Sequence, residues 1–384
     1  MKYFRMLCIV PVLLLMVAGC KVTDPVDDED ITNYYDIDIG NRTIHEMILS
    51  PDGSKVVIQG HSHSGLYGFL EVYDTKTQAK LWEKTSGGLY TDVPVNFSED
   101  GGKLLFQTDF ESFVVANSQN GSIIRKFTNI HNARLFPDGS TIVGVYQRKI
   151  SSNIYNTIPP EVTVYSVNSG DKIRDLSFRG TEGWGPENWE LIGTSGSDNV
   201  ILFNDVTQNN QPTIQITYWN VNTDTKSSNA YFAHVGMIPQ YNDYAKIFSP
   251  DFSVIALTED YTKCFFYNTL TGAKINSKPF VSYRKEGNFI HQTGLALAIS
   301  NDQTFAMIEK NEEYKNKTES PITYSQAESK VIKKLSMPSW IVDSVKKQFF
   351  KYSFNSKILA KVISNNEYPH ENDNHAIIRI WKVK

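Results

Sequence analysis

Short apolar stretches separated by polar turn sequences recur through most of the chain, and this alternation is typical of β-strands. The clearest unit is a strand, a Pro-Asp-Gly turn and a second strand, as in ILSPDGSKVVI from position 48 and RLFPDGSTIVG from position 134. Pro presets the backbone for the second turn position, and the Asp side chain bonds the local backbone. Each copy is therefore predicted to be a β-hairpin.

The hairpin recurs at a nearly constant spacing. Further copies are NFSEDGGKLLF at 96, LIGTSGSDNVILF at 191, IFSPDFSVIAL at 247, AISNDQTFAMI at 298 and SFNSKILAKVI at 353, which gives seven in all. A second hairpin follows each of the first six, and all of them except ANSQNGSII at 116 begin with an aromatic residue, as in YDTKTQAKL at 73 and YNTLTGAKI at 267. The first and last aromatic anchors, Tyr73 and Trp381, define a repeat of about 51 residues, which is the size of a propeller blade.

Four strands in each unit predict an all-β fold, a seven-bladed β-propeller of four-stranded blades spanning residues 33–384. The seventh unit ends with AIIRIWKVK and lacks a fourth strand, whereas NYYDIDI at 33–39 is an alternating strand that precedes the first unit. We therefore predict that 33–39 pairs with the C-terminal blade. This pairing would close the ring and leave no exposed sheet edge at the chain ends.

The Ser-Pro-Asp-Gly hairpins resemble those of WD-repeat and related bacterial surface propellers. VYDTKTQAKLWEK, at 72–84, also resembles the repeat of quinoprotein propellers of the YVTN type, with Asp74, Thr77 and Trp82 at its positions. The first resemblance implies a protein-interaction module and the second a quinone-dependent oxidoreductase. The other units lack a counterpart of Trp82, and the chain has neither adjacent cysteines nor an Asp-x-Asp-x-Asp-Gly calcium loop. We therefore predict no cofactor, and a packing role for Trp82 between neighbouring blades.

The N-terminus carries the features of an export signal. Lys2 and Arg5 precede an apolar run at 6–17 that is too short to span a bilayer stably. Val-Ala-Gly-Cys at 17–20 resembles a bacterial lipobox, which implies a lipoprotein signal peptide at 1–19 and acyl chains such as palmitate on Cys20. Several acyl chains on one cysteine give stable anchoring in a membrane.

Residues 20–32 are rich in carboxylates and poor in apolar side chains, so they are predicted to form a flexible tether. Short acidic runs after a lipidated cysteine resemble the surface-export tags of Bacteroidota lipoproteins. The predicted location is therefore the cell envelope, as an outer-membrane lipoprotein on the periplasmic or the surface-exposed face.

Composition narrows the function further. The chain has 384 residues, 40% of them hydrophobic, which is enough for a substantial core. Its net charge of −4 lacks the basic excess that nucleic-acid binding needs. Neither a Gly-rich phosphate loop nor a Gly-x-Ser-x-Gly elbow is present, so no catalytic residue is predicted.

The favoured function is a non-catalytic interaction or scaffold module with a protein partner in the envelope. A glycan-binding lipoprotein and a quinoprotein-like oxidoreductase are the alternatives.

Two tryptophans are candidate binding residues. FRGTEGWGPENWE, from position 178, is longer than a blade connection requires and places Trp184 and Trp189 among glycines and carboxylates. Exposed tryptophans suit stacking on a sugar or a protein hot spot. Folding inward as a plug is the alternative.

Histidines form the second candidate set. His45, His131 and His291 each precede the turn of their unit, so they either converge at the mouth of the channel to bind a ligand or partner, or cap the starts of their strands. No metal site is predicted from them. His61 and His63, in GHSHSG, have a chelating spacing, but the flanking Gly and Ser favour a flexible loop.

Overall fold

A computed structural model describes most of the chain between residues 34 and 383. The described ranges are 34–40, 42–62, 67–86, 95–146, 161–177, 189–208, 211–233, 247–260, 263–275, 280–281, 283–286, 289–292, 294–309, 321–325, 330–334, 350–364 and 376–383. The predicted signal peptide, Cys20, the acidic tether and Trp184 lie outside them. In the part of the chain that is described, no helix has the length and hydropathy needed to cross a membrane.

The described residues form an all-β structure of antiparallel strands. The first strand is β1 (Tyr34–Gly40). Sheet 1 contains β2 (Arg42–Leu49), β3 (Lys55–Ser62), β4 (Gly68–Asp74) and β5 (Lys80–Ser86). Sheet 2 contains β6 (Asn96–Phe97), β7 (Lys103–Asp109), β8 (Ser112–Asn117) and β9 (Ile123–Thr128). Sheet 3 contains β10 (Asn132–Leu135), β11 (Thr141–Tyr146), β12 (Glu161–Ser166) and β13 (Lys172–Leu176).

The later sheets repeat this order. Sheet 4 contains β14 (Trp189–Ser195), β15 (Asn199–Gln208), β16 (Gln211–Asn220) and β17 (Thr225–Ala233). Sheet 5 contains β18 (Ile247–Phe248), β19 (Val254–Asp260), β20 (Lys263–Asn268) and β21 (Phe280–Val281), and a two-stranded sheet of β22 (Tyr283–Glu286) and β23 (Phe289–Gln292) follows it. Sheet 6 contains β24 (Gly294–Ile299), β25 (Thr304–Glu309), β26 (Pro321–Ser325) and β27 (Lys330–Lys334). Sheet 7 contains β28 (Phe350–Tyr352), β29 (Ile358–Ser364), β30 (Ala376–Lys382) and β1.

The first and last strands of the described part of the chain meet in sheet 7. β1 pairs antiparallel with β30, with Tyr34 opposite Trp381 and Ile37 opposite Ile378, so the predicted pairing of 33–39 with the last unit is observed. Arg379, on β30, is almost fully buried and makes two 2.7 Å hydrogen bonds to the Asp36 carboxylate of β1. A bidentate pair of this kind fixes the register between two strands that are far apart in sequence.

Strand β4 shows why the sequences of the strands are almost continuously apolar. Phe69 and Tyr73 point to a cluster shared with sheet 7, whereas Leu70 and Val72 point to a cluster shared with sheet 2. Both faces of the sheet are therefore covered, because neighbouring sheets pack on each side. The same sharing of apolar clusters joins sheets 2 and 3, 3 and 4, and 4 and 5.

Each pair of successive sheets is also joined by a polar contact. These contacts are Trp82 to Ser118 for sheets 1 and 2, Glu99 to Pro137 for 2 and 3, Thr194 to Leu135 for 3 and 4, Tyr218 to Thr269 for 4 and 5, Asp251 to Asn301 for 5 and 6, Asn301 to Phe354 for 6 and 7, and Asn355 to Pro51 for 7 and 1.

The predicted Pro-Asp-Gly turns have a common construction. In sheet 1 the buried Ser50 hydroxyl donates to Asp52 Oδ1 at 2.7 Å and accepts from the Lys55 amide at 2.8 Å, while Asp52 also accepts from the Ser54 amide. The same serine opens the turns at Ser98, Ser249, Ser300 and Ser353. Because the Ser50 hydroxyl both donates and accepts within the turn, this serine can be buried with its polar group paired.

Candidate functional site

The sheets have two distinct sides. In sheet 1 the Thr75 amide donates to the Ser54 carbonyl at 2.9 Å, which brings the turn after the third strand next to the turn after the first. The same bond recurs from Ser118, Val167, Val221, Thr269 and Val383 in sheets 2, 3, 4, 5 and 7. We call the side that carries these turns the turn side. The opposite strand ends, such as Arg42 and Ser62 of sheet 1, form the far side.

On the turn side, one position of the fourth strand repeatedly donates to a carbonyl of the next sheet. The bonds are Trp82 Nε1 to Ser118 O (2.8 Å), Arg125 Nε to Val167 O (3.3 Å), Arg174 Nη1 to Val221 O (2.9 Å) and Ser228 Oγ to Leu270 O (2.5 Å). The predicted packing role of Trp82 between neighbouring sheets is thus confirmed.

Arg125 and Arg174 were missed as counterparts of Trp82, because alignment by residue type shows no second tryptophan. Their common property is a long side chain with an N–H donor at the same repeat position. Below Trp82 and Arg125 lies a turn glycine of the next sheet: a Cβ on Gly121 would meet Trp82 Cδ2 at 2.8 Å, and a Cβ on Gly170 would meet Arg125 Cδ at 3.1 Å. These turn-side donors therefore take part in contacts that hold the sheets together.

On the far side of sheet 1, His45 and His61 form a pair. His45 Nε2 lies 2.8 Å from His61 Nδ1, and the ring centroids are 4.6 Å apart with the planes nearly perpendicular. His61 belongs to β3 rather than to a flexible loop, so that part of the sequence interpretation was wrong; His63 lies outside the described residues. Two imidazoles with facing ring nitrogens can share a proton or bind a metal ion.

A second far-side cluster lies between sheets 2 and 3. The His131 ring packs edge-on against Phe110 at 5.0 Å and is tilted against Tyr146 at 5.5 Å, and His131 Nε2 is 3.6 Å from Glu111 Oε1. Phe110 is 43% exposed, so an aromatic face reaches solvent beside a carboxylate. Such a combination of ring and polar groups is common in binding hot spots.

The Glu71 carboxylate is buried within sheet 1, and one of its partners, Arg42, lies on the far side. Its side chain is 1% exposed and pairs with Arg42, with Lys80 at 3.1 Å and with the Tyr73 hydroxyl at 2.7 Å. Burial raises the pKa of Glu71, but the hydrogen bonds from Arg42, Tyr73 and Lys80 lower it by more, so its pKa lies below the usual range. Glu71 is therefore ionised and fully bonded, which suits a structural anion rather than a proton donor.

The candidate residues from the sequence are distributed over several places. Trp189 begins β14 and His291 lies in β23, but their side chains are outside the described part of the structure, as are Trp184 and Cys20 altogether. His45 and His131 belong to the two separate far-side clusters. Among the residues that the structure describes, no three His, Cys, Asp or Glu side chains are close enough to hold a metal ion.

The comparisons with known proteins assign no relationship. No protein-family model matches the chain. No curated protein matches it either.

Proposed function

We propose that the seven sheets are the blades of one closed seven-bladed propeller, held outside the cytoplasm by acyl chains on Cys20 and acting as a non-catalytic protein-interaction module at the bacterial envelope. Polar contacts from each sheet to the next, and from Asn355 of sheet 7 to Pro51 of sheet 1, support the closed ring. The pairing of β1 with β30 supports closure by the chain ends.

The observation that carries the binding role is the combination of side chains in one far-side cluster. Exposed apolar side chains occur on both sides, as at Phe354 and Phe110, but the Phe110 ring packs against the His131 imidazole, which also lies beside the Glu111 carboxylate. Protein interfaces are enriched in aromatic residues at their centres. The far-side cluster of Phe110, Glu111, His131 and Tyr146 is accordingly the proposed centre of the partner surface.

The partner surface can be tested by site-specific photocrosslinking in intact cells. A crosslinking amino acid at Phe110 is expected to give one defined adduct with an envelope protein. The matched control is Ile173, which is also exposed, at 56%, but lies on the fourth strand of sheet 3. Equal labelling from both positions, or none from Phe110, would contradict the proposed surface.

Ring closure can be tested by deleting residues 33–39. The deletion removes β1 up to Ile39, leaves β30 paired only with β29 and exposes the Arg379 side chain, so the free energy of unfolding should fall by about 3 kcal/mol or more. Removing seven residues of the acidic segment, 22–28, is the control and should leave the denaturation midpoint unchanged. An unchanged midpoint after the 33–39 deletion would refute closure by β1.

The lipid anchor is tested separately. Metabolic labelling with an alkyne analogue of palmitate should mark the wild-type protein, and Cys20→Ser should abolish the label and release the protein from membranes. Labelling that persists in Cys20→Ser would show that another residue is acylated and would contradict the proposed anchor at Cys20.

A glycan is the second candidate ligand, because the exposed Phe110 ring stands beside the Glu111 carboxylate and the His131 imidazole, as stacking sugar sites require. Specific signal on a glycan array that is lost in Phe110→Ser would favour this candidate over a protein partner. Signal lost only in Trp184→Ala or Trp189→Ala would transfer the sugar site to the 178–190 segment.

A further inference from the structure

The β7–β8 tip, residues 109–111, presents an aromatic ring between two carboxylates. Phe110 is 43% exposed, and the side chains of Asp109 and Glu111 are 48% and 50% exposed. The Glu111 amide donates to Asp109 Oδ1 at 3.1 Å, and this bond shapes the turn that carries the ring. Lys126 Nζ lies 3.4 Å from Asp109 Oδ2, so the charge of Asp109 is offset and Glu111 keeps the tip acidic.

A buried acceptor lies beneath the β7–β8 tip. Gln107 Nε2 donates to the Phe110 carbonyl at 3.0 Å, which places the Gln107 amide against the tip. Gln107 is 2% exposed, and its Oε1 has no hydrogen-bond donor among the described residues. A buried acceptor without a donor is unfavourable. A ligand whose N–H group bonds to Gln107 Oε1 removes that cost, so this position favours a hydrogen-bond donor.

The side of the tip that meets sheet 3 is aromatic. The Phe110 ring packs edge-on against His131, and Tyr146 packs against the same imidazole with its ring centroid 5.5 Å away. The face of an aromatic ring attracts a cation, and a carboxylate forms its strongest hydrogen bonds with charged donors. Ring faces, the Glu111 carboxylate and the buried Gln107 oxygen therefore all favour a cation that carries N–H groups.

We propose that the partner protein inserts a basic side chain, arginine or lysine, at the β7–β8 tip. Its cation lies against the Phe110 ring, and its N–H groups bond to the Glu111 carboxylate and to Gln107 Oε1. The ring can move aside to admit the incoming group, because exposed side chains change rotamer rapidly. Arginine suits this site better than lysine, because a planar guanidinium stacks on a ring while it donates two parallel bonds to a carboxylate. The assignment rests on the proposed partner surface and adds the chemistry that this surface recognises.

The preference for a cation is tested by saturation-transfer difference NMR on the purified full chain in detergent. The probes are the Nα-acetyl amides of arginine, lysine and citrulline, and citrulline has nearly the shape of arginine without its charge. We expect side-chain signals from arginine, weaker signals from lysine and a signal about tenfold weaker than that of arginine from citrulline. Equal signals from arginine and citrulline, or no signal from arginine, would overturn the assignment.

Matched variants locate the site. Glu111→Gln keeps the size of the side chain and should reduce the arginine signal about tenfold. Glu99→Gln, which removes an exposed carboxylate from the turn side of the same sheet, should leave the signal unchanged. Phe110→Ser should abolish the signal, whereas Phe354→Ser, at an exposed ring on the turn side of sheet 7, should retain it. A signal of wild-type strength in Glu111→Gln would overturn the assignment.

Gln107→Met separates binding from support of the tip. The change removes the bond to the Phe110 carbonyl together with the buried unpaired oxygen, so the melting temperature without ligand should be unchanged or higher. The arginine signal should nevertheless fall. A lower melting temperature with an unchanged arginine signal would mean that Gln107 only supports the tip, and would remove it from the site.

Crosslinking from Phe110 in cells distinguishes this assignment from the proposed function. A partner adduct that is lost in Glu111→Gln and kept in Glu99→Gln would support both. An adduct of equal yield in the wild type and in Glu111→Gln would retain the partner surface and overturn the basic contact. An arginine signal in solution without any adduct in cells would overturn the proposed function, and with it a partner protein as the source of the cation.

Discussion

The turn side and the far side of the sheets differ in how regular they are. On the turn side, the Ser50-type turn, the bond from the third-strand end to the first turn, and the donor at the Trp82 position recur from sheet to sheet. On the far side, the His45–His61 pair and the Phe110–His131 cluster each occur once in the described residues. Repetition thus accompanies structural contacts between sheets, and unique combinations accompany the candidate binding residues.

The largest expected effect compares two glycines. Gly60→Ala, toward the far side, forces a Cβ against the Thr43 carbonyl and should cost about 3 kcal/mol or more in unfolding free energy. Gly102→Ala, on the turn side, brings its Cβ only to the solvent-exposed Asp100 carboxylate at 3.2 Å and should cost below about 1 kcal/mol. Urea denaturation measures both. Equal costs would show that the β-bulge at His45 is not held by the close backbone approach.

The second-largest change in unfolding free energy is expected at the buried Glu71 carboxylate. Glu71→Gln leaves Arg42 and Lys80 without their anion and should cost about 2–3 kcal/mol at pH 7. Because the folded pKa of Glu71 is lowered, the unfolded chain binds its proton first as the pH falls. The wild type should therefore lose this advantage below about pH 4.3, and the two proteins should converge in acid.

The control for this charge is Glu83→Gln. Glu83 also pairs with Lys80, but its side chain is 49% exposed, so the change should cost below about 0.5 kcal/mol at pH 7. A wild-type advantage over Glu71→Gln that is independent of pH would contradict the electrostatic origin of the effect.

A smaller effect is expected for the turn-side donors. Trp82→Phe keeps the ring above Gly121 but removes the bond to Ser118 O, so the unfolding free energy should fall by about 1 kcal/mol. Arg174→Met removes the corresponding bond between sheets 3 and 4. Because the two bonds join different pairs of sheets, their costs should add to within about 0.5 kcal/mol in the double variant. Strong coupling would mean that the two contacts between sheets do not act independently.

The smallest stability effect is expected at Phe110. Phe110→Ser removes an exposed ring, so the melting temperature should change little, by less than the equivalent of about 0.5 kcal/mol. Binding of the crosslinked partner should nevertheless weaken. A large loss of stability would instead assign Phe110 to the core and place the partner surface elsewhere.

Much of the fold could be predicted from the sequence because the turns are local. Pro51, Asp52 and Gly53 determine their hairpin through bonds within a few residues, and the same letters recur at a constant spacing. The pairing of 33–39 with the last unit followed from the missing fourth strand. The role of Trp82 also followed, since an aromatic residue on the edge strand β5 has few other places to pack than the neighbouring sheet.

The candidate site was less predictable. His45 and His61 were assigned to different settings, since a bulge shifts the register by one residue and the sequence does not mark it. Gly60 is the one local indication, because a glycine inside a strand often marks a close backbone approach. Phe110 and Tyr146 come from different sheets, so their meeting at His131 depends on how sheets 2 and 3 pack.

The sequence by itself determined the strand order, the repeat of about 51 residues and the local turns, because these depend on neighbouring residues and on alternation along each strand. Tertiary structure alone decided which side of the sheets carries unique side-chain clusters, that Arg125 and Arg174 substitute for Trp82, and that His45 faces His61 at 2.8 Å. The physical reason is that these contacts join residues through sheet packing and a register shift, and neither is encoded in any short stretch of the chain.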